Sequence, residues 1–509
     1  MSEDAPSWKN HLWRNLGTGY LSLVLRLFSG FILFRLMFQY LDEVEFGFYA
    51  MLWSLFGFMI LLDFGLGLAA QKATAQRSET GDQEGLSVLI STIFWSFVGV
   101  SVVLVPIALL AEPFVMERAI IPVEKRETFG LVYRTFFIGL AVIFPATTFY
   151  NVLAGLQRLD ISNLLNIIGT LISLIFLPIA LIQGWPFQRV MLISIIAASL
   201  PLLISYSMVR RLLPELSIHP KHYNRAALGP VLAFSLAAFL IAFSDVILAK
   251  TDQAVVSFTV GVAALTVYQA GFKAAEMFTM VTSQLGRFLA PAAAQLSGRG
   301  DKEGLIDLFV RSSGFMLLLA TPVGALAAVY LEPLIMLLTG YEEVPQICLY
   351  VGWCLIFATW WHVFASLVTK SMLVMTDDEK PLLRFAIIEA VLNLVLSVIL
   401  VHRIGLLGVA VGTLIPTVIM GWLRLHLLAA PFTGRSVFVL IAQIVRPVLV
   451  PIVASLTALA VLIKFFPLPE SGLIFELGAR GFFVAVVLGS LSYRHIRAFA
   501  GESAAVGGK

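Results

Sequence analysis

Charge is what this sequence has least of. Asp, Glu, Lys and Arg make up 13% of its 509 residues, about half the usual share of a soluble domain. That excludes a chain able to solvate the surface of a large water-soluble core. Cysteine is nearly absent. Cys348 and Cys354 are the only two, and on one helix they stand ~9 Å apart along the axis, beyond disulfide reach. Seven scattered histidines show no metal-ligand spacing, so neither a metal nor a resident cofactor is expected. A G-x-x-x-x-G-K-[ST] phosphate loop is missing, which excludes nucleotide hydrolysis by that route, and no nucleophile elbow appears. The formal net charge of +3 gives no ground for nucleic-acid binding.

Apolar residues fill the space that charge leaves. Hydrophobic residues account for 59% of the chain and Phe alone for 39 positions, with a mean hydropathy of +0.93. About 20 consecutive apolar residues suffice to cross a bilayer as a helix, and runs of that length recur to the end. They predict an all-α polytopic protein with about fourteen spans, at 16–40, 47–71, 86–110, 129–154, 161–183, 188–209, 232–261, 265–293, 308–330, 346–369, 382–401, 405–428, 440–463 and 473–493. Residues 1–15, with Trp8, Lys9, Trp13 and Arg14, read as a cytoplasmic interfacial segment and not as a cleaved signal.

The positive-inside rule orients these spans. With the N-terminus in the cytoplasm, the inner loops collect Lys72, Arg77, Arg158, Arg210, Arg211, Lys221, Arg225, Arg299, Lys302, Lys370, Lys380, Arg384, Arg424 and Arg435. Outer loops collect Asp42, Glu43, Glu45, Glu332, Glu342 and Glu343. The 111–128 loop is the exception, mixing Arg118, Lys125 and Arg126 with four glutamates. Both termini are expected in the cytoplasm.

An internal duplication is suggested by an offset of 219 residues, which pairs Tyr49 with Tyr268, Ala75-Gln76 with Ala294-Gln295, and the Arg158–Asp160 loop with Asp377–Glu379. Two six-span halves of like orientation follow from it, a known transporter plan. The expected division is an N-lobe at 16–210, a cytoplasmic linker at 211–231, a C-lobe at 232–430, two further spans at 440–493, and a cytoplasmic tail at 494–509.

Intramembrane charge is where function is sought, because an ion at mid-bilayer costs at least ~2.5–3.5 kcal/mol. Span 1 carries Asn15, Thr18, Ser22, Arg26 and Ser29 at helical spacing on one face. Asp63 of span 2 lies at a depth where it is expected to pair with Arg26. Span 8 repeats Gln269, Lys273, Glu276, Met280, Ser283 and Arg287 at alternating steps of four and three, the pattern of a helix lining an aqueous path. On span 7, Asp245, Asp252 and Thr259 follow at heptad spacing, and Lys273 is an expected partner of Asp252. The carboxylates Asp63, Asp245, Asp252 and Glu276 are candidate proton or sodium sites, against the alternative that the two ion pairs only pin helices together. Glu389 and Asn393 share a face of span 11 and read as packing glue; Glu476 and Arg480 read as a pair on span 14.

The stretch Phe46-Gly-Phe-Tyr-Ala-Met-Leu-Trp-Ser-Leu, followed by Leu61-Leu-Asp-Phe-Gly-Leu-Gly, resembles the opening of bacterial polysaccharide transporters, the Wzx-type O-antigen and exopolysaccharide flippases of the MOP exporter superfamily. Ala154-Gly-Leu-Gln-Arg-Leu-Asp resembles their loop between spans 4 and 5. Asp252, Gly261, Tyr268 and Pro291 keep the spacing of their span 7–8 hairpin, and Glu332-Pro-Leu-Ile and Leu392-Asn-Leu-Val-Leu match later signatures. The resemblance implies two six-helix lobes around a central cavity. It also implies alternating access that moves an undecaprenyl-pyrophosphate-linked glycan from the cytoplasmic to the periplasmic leaflet of the bacterial inner membrane. The polysaccharide polymerase and export proteins would be partners, beside the membrane lipids. A pyrophosphate needs fixed cations, and Arg26, Lys273 and Arg287 are expected to bind it, with Ser22, Ser29 and Ser283 beside them. Three other readings stay open: a lipid II flippase; a drug or cation antiporter of the same superfamily, which the basic stripes disfavour; and a membrane glycosyltransferase or polymerase, which the short outer loops disfavour.

Overall fold

The computed structural model describes residues 7–286, 300–373 and 379–465, together with Leu289, Ala293, Leu296, Ser297 and Arg480; for the start of α1, much of α8 and the end of α9 it describes the backbone alone. Every regular element among the described residues is helical, as a chain in lipid requires, since only internal hydrogen bonds satisfy its backbone there. The chain forms two compact units, Met1–Thr266 and Val267–Lys509. The boundary falls inside α9, beyond the linker at 211–231.

The first unit runs α1 (Ser7–Tyr40), α2 (Glu43–Met59), α3 (Leu66–Thr80), α4 (Gln83–Arg118), α5 (Arg126–Gly155), α6 (Leu159–Ile182), α7 (Phe187–Leu212) and α8 (Leu228–Thr259), and α9 (Val262–Gly286) begins in it. A reciprocal cap starts α2: the Val44 and Glu45 amides donate to Asp42 Oδ1 at 2.9 and 3.0 Å, and the Asp42 amide donates to Glu45 Oε2 at 3.3 Å. Leu86, Leu89, Ile90, Ile93 and Phe97 of α4 build the core with Val152 and Leu153 of α5, Leu165 of α6 and Val209 of α7. The linker is part of this core, because Leu213 and Leu216 are buried in it.

The second unit continues through α10 (Lys302–Val329), α11 (Leu331–Thr339), α12 (Gln346–His362), α13 (Val368–Leu373), α14 (Glu379–Ile404), α15 (Leu406–Arg424), α16 (Ala430–Thr433), α17 (Val437–Val445) and α18 (Leu449–Phe465). Gly408 and Gly412, four apart on α15, let that helix lie directly against α14: a Cβ at Gly408 would strike the Leu400 carbonyl, and one at Gly412 the Ser397 backbone. Two π-helical turns interrupt this unit, Val363–Leu367 after α12 and Leu425–Ala429 after α15.

Among the described residues ten helices are long and apolar enough to cross a membrane, or eleven if the α17–α18 pair, bent by 57°, is one span. The protein is therefore a multi-pass membrane protein. The described residues do not bring the count to the expected fourteen. α8 and α9 stand as helices where spans 7 and 8 are expected, and 473–493 lies outside the described residues apart from Arg480. Three expected boundaries change. Span 2 is broken, since α2 ends in a 3-10 turn at Ile60–Asp63 and the chain passes through left-handed Phe64 (φ 48°) and Gly65 (φ 77°) before α3. Span 13 is bent. The 111–128 segment, expected as an outer loop, is mostly helix: α4 runs on to Arg118, its Glu112 accepts two bonds from Arg134 at 2.7 and 2.8 Å, and Lys125 pairs with Asp42.

The duplication has a structural mark at the same 219-residue offset. Gly81-Asp-Gln-Glu-Gly-Leu before α4 and Gly300-Asp-Lys-Glu-Gly-Leu before α10 differ at one position. Gly81 and Gly300 have φ of 73° and 68°. Asp82 accepts the Gly85 amide at 2.9 Å, and Asp301 accepts the Gly304 amide at 2.8 Å. The Asp82 amide donates to the Arg77 carbonyl as that of Asp301 does to Leu296, at 3.1 and 3.0 Å.

Candidate functional site

In the first unit the polar stripe of α1 divides by reach. Thr18 Oγ1 donates to the Arg14 carbonyl at 2.7 Å and accepts from Asn163 Nδ2 of α6 at 3.2 Å. Ser22 and Ser29 are buried, and Ser29 Oγ donates to the Arg26 carbonyl at 3.1 Å. Arg26, on the same face, is exposed. The short side chains seat the helix while the long one leaves the packed surface. Arg26 lies nine residues into the span Gly17–Tyr40, ~14 Å by helical rise, so its charge sits well inside a hydrocarbon layer ~30 Å thick.

Asp63 does not pair with Arg26. The break in span 2 turns its carboxylate to the head of α3, where Oδ1 accepts the Gly67 amide at 2.7 Å. A helix N-terminus offers unsatisfied N–H groups and a positive dipole, so the backbone takes the place that a guanidinium was expected to fill. Asn151 of α5 reaches the same point. A Cβ at Gly67 would lie 2.5 Å from Asn151 Nδ2 and 2.8 Å from Asp63 Oδ2. Asn151 Nδ2 donates to the Thr147 carbonyl at 3.1 Å. Gly67 thus keeps open a small polar corner formed by a carboxylate, an amide and a helix end.

At the N-terminal end of α1, Asp160 is fully buried between two arginines: Arg14 Nη2 lies 2.9 Å from Oδ2 and Arg158 Nε 3.0 Å from Oδ1. This ties the start of α1 to the α5–α6 turn. Asp252 of α8 is buried, with Thr251 and Gln253 buried beside it. Asp245 lies on α8, and its side chain is not described.

The polar face of α9 in the second unit is only partly open. Lys273 and Glu276 are joined at 2.7 Å, with 15% and 27% of their side chains exposed, so Glu276 serves as a counter-charge on the same helix. Gln269 is buried, Met280 is exposed, and Thr279 shares a hydrogen bond of 3.2 Å with Thr359 of α12. Ser283 is helical without a described side chain, and Arg287 lies outside the described residues.

A second buried charge group was not expected. Arg424 ends α15, which suggests a loop cation, yet it is 4% exposed and pairs with Glu389 of α14, itself fully buried. Arg424 Nη1 donates to Ser366 Oγ at 3.0 Å. Ser366 belongs to the first π turn, and Arg424 directly precedes the second. One turn along α14 from Glu389, Asn393 Nδ2 donates to Thr413 Oγ1 at 2.8 Å. Glu389 and Asn393 thus each tie α14 to α15 through a side-chain bond, the glue that was expected of them. The 35-residue separation of Glu389 and Arg424 hid their pairing; the one signal was an acidic residue ten positions inside an apolar helix. Arg480 is also buried, and donates to Tyr330 Oη at 2.6 Å, while its expected partner Glu476 lies outside the described residues.

The chain matches the family described as polysaccharide biosynthesis protein over residues 12–297 and the MatE family over 238–399. No curated protein matches by sequence. Among solved structures, "Lipid II flippase MurJ, inward closed conformation" aligns at a TM-score of 0.70 and 14% identity, covering 95% of this chain and 99% of that one. A multidrug resistance MATE family transporter of the MOP superfamily, inward-facing, aligns at 0.66 and 16%, covering 81% and 95%. The Vibrio cholerae MATE transporter VcmN, in its bent form, aligns at 0.57 and 15%, covering 86% and 100%. At such identities these likenesses show a shared fold, and it is the family matches that bear out the resemblance to the polysaccharide transporters.

Proposed function

The chain belongs to the polysaccharide biosynthesis protein family, and from that premise we propose that it is a Wzx-type flippase. It carries an undecaprenyl-pyrophosphate-linked oligosaccharide from the cytoplasmic to the periplasmic leaflet of a bacterial inner membrane by alternating access, with both termini in the cytoplasm. The observation that carries this reading is Arg26, an exposed guanidinium held at depth by a helix whose neighbouring hydroxyls are buried. A pyrophosphate crossing a low-dielectric layer needs a fixed cation whose planar donors match phosphate oxygens. Lys273 and Arg287 are the further cations assigned to this group, with Ser22, Ser29 and Ser283 near them in sequence. Lys273 meets the head group in exchange for Glu276, its counter-charge on α9.

Coupling to a proton or sodium gradient falls to a carboxylate, and Asp63 is the best supported of Asp63, Asp245, Asp252 and Glu276. It sits at a helix break, where an irregular backbone lets a polar group reorganise on ion binding. No cofactor is required, and the polysaccharide polymerase and export proteins are the expected partners. The likeness to the lipid II flippase favours a second cargo, a lipid-linked peptidoglycan precursor, which carries the same pyrophosphate. The test is Arg26→Ala in the native host. Surface polysaccharide should fall at least tenfold while membrane levels of the protein stay unchanged; normal surface polysaccharide together with normal peptidoglycan synthesis would contradict the cationic site. Loss of peptidoglycan synthesis with intact surface glycan would assign the second cargo.

A further inference from the structure

The two π turns of the second unit fall side by side. α12 and α15 pack in parallel: Trp361 Nε1 donates to the Val418 carbonyl at 3.1 Å, Ala365 faces Gly421, and Ser366 faces Arg424. This contact is tight. A Cβ at Gly421 would lie 2.5 Å from Trp361 Nε1 and 3.0 Å from the Ala365 Cβ. The first turn, Val363–Leu367, ends at this level, and the second, Leu425–Ala429, begins there. A single π turn is an established point of bending in a helix, and here two neighbouring helices carry one each at adjoining depths.

Beyond the turns the packing changes. A hollow of about 560 Å³ opens there, lined by Leu373 of α13, Leu428 of the second turn and Phe432 of α16, with Lys302 and Leu305 of α10. Side chains beside a void lack contacts on that side, so the two segments past the turns have both room to move and packing to gain.

Arg424 holds both turns. Its Nη1 donates to Ser366 Oγ inside the first turn at 3.0 Å, its Nη2 pairs with Glu389 of α14, and its backbone leads into the second turn. Arg424 is 4% exposed and Glu389 fully buried, so water does not take over these bonds when they part.

We propose that the two π turns are a paired hinge, pinned by Arg424, Glu389 and Ser366, on which α13 and α16 swing together into the hollow when the pin is released. Annealing a π turn to an α turn displaces one residue, which rotates the segment beyond it by ~100°. α12 and α15 keep their places, since the Gly421 contact holds them above the turns. The hinge lies wholly in the second unit and acts without cargo, so it stands apart from the flippase reading.

The test uses the full chain in lipid nanodiscs with two pairs of spin labels, at Lys302→Cys with Ser371→Cys and at Lys302→Cys with Arg435→Cys. Cys354→Ala removes the half-buried native thiol, and Cys348 is fully buried. Distances are read by electron paramagnetic resonance in wild type, in Ser366→Ala, which removes one bond, and in Glu389→Gln, which keeps the shape and removes the charge. Wild type should give one distance for each pair. Each variant should add a second population in both pairs, shorter by ~5 Å, about the rise of one helical turn. Amide hydrogen exchange should quicken in the two π turns and stay unchanged in α12 and α15. A single unchanged distance in both variants, a second population in one pair alone, or protection lost throughout α12 and α15 would overturn the inference.

Discussion

At the scale of the residue, the corner around Asp63 separates a coupling role from a structural one. A methyl group at Gly67 would press on Asn151 Nδ2 and Asp63 Oδ2, both at the ends of flexible side chains, so Gly67→Ala should fold and disturb the carboxylate. Transport driven by an imposed ion gradient should drop severalfold in Gly67→Ala and in Asp63→Asn, with protein yield unchanged; full gradient-driven transport in Asp63→Asn would remove the coupling role. Arg424 makes a contrasting case. Breaking a buried pair from one side costs ~3–5 kcal/mol, whereas replacing both partners by apolar residues costs much less. Thermal scans in detergent should therefore show Arg424→Leu far less stable than Glu389→Leu/Arg424→Leu. A third case concerns pH. Burial pushes the Asp42 carboxyl up, but the hydrogen bond and charge of Lys125, with the Glu45 and Val44 amides, outweigh it and hold the group below its usual value. A depressed carboxyl stabilises the fold above its unfolded pKa, ~3.9, and loses that contribution as pH falls through the folded value. Asp42→Asn should thus be less stable than wild type at neutral pH, with the gap closing in strong acid. The effect is small, since 46% of the Asp42 side chain is exposed.

At the scale of the element, the paired turns before α4 and α10 carry the clearest prediction. Each Asp caps its helix in the same way, and loss of such a cap costs about 1 kcal/mol. Asp82→Ala and Asp301→Ala should lower the melting midpoint by similar amounts, and a large difference would argue that the two turns are not equivalent. These turns also show what sequence reasoning can reach. The 219-residue offset was visible in Tyr49 and Tyr268, and the same offset carries the near-identical Gly-Asp-x-Glu-Gly-Leu segments, whose turns share one cap geometry. Hydropathy located most spans because it reports burial in lipid. It failed at Asp63, where the break depends on backbone torsions at Phe64 and Gly65 and not on composition. It failed also at Glu389 and Arg424, whose meeting depends on how α14 and α15 pack. The helical pattern put Arg26 and Ser22 on one face, but exposure depends on side-chain length as well as direction, so only the structure parts the buried serines from the open arginine.

At the scale of the whole molecule, the proposed function is that this multi-pass membrane protein moves a lipid-linked pyrophosphate glycan between leaflets, with Arg26 as a required cation. The most direct measurement is flipping itself. The purified chain would be reconstituted into vesicles with a fluorescent polyprenyl-pyrophosphate oligosaccharide, and the fraction reaching the far leaflet followed by its protection from an impermeant quencher. Transfer should be protein-dependent, at least tenfold slower with Arg26→Ala, and not competed by cationic drugs. Equal rates for wild type and Arg26→Ala, or transfer no faster than in protein-free vesicles, would contradict it.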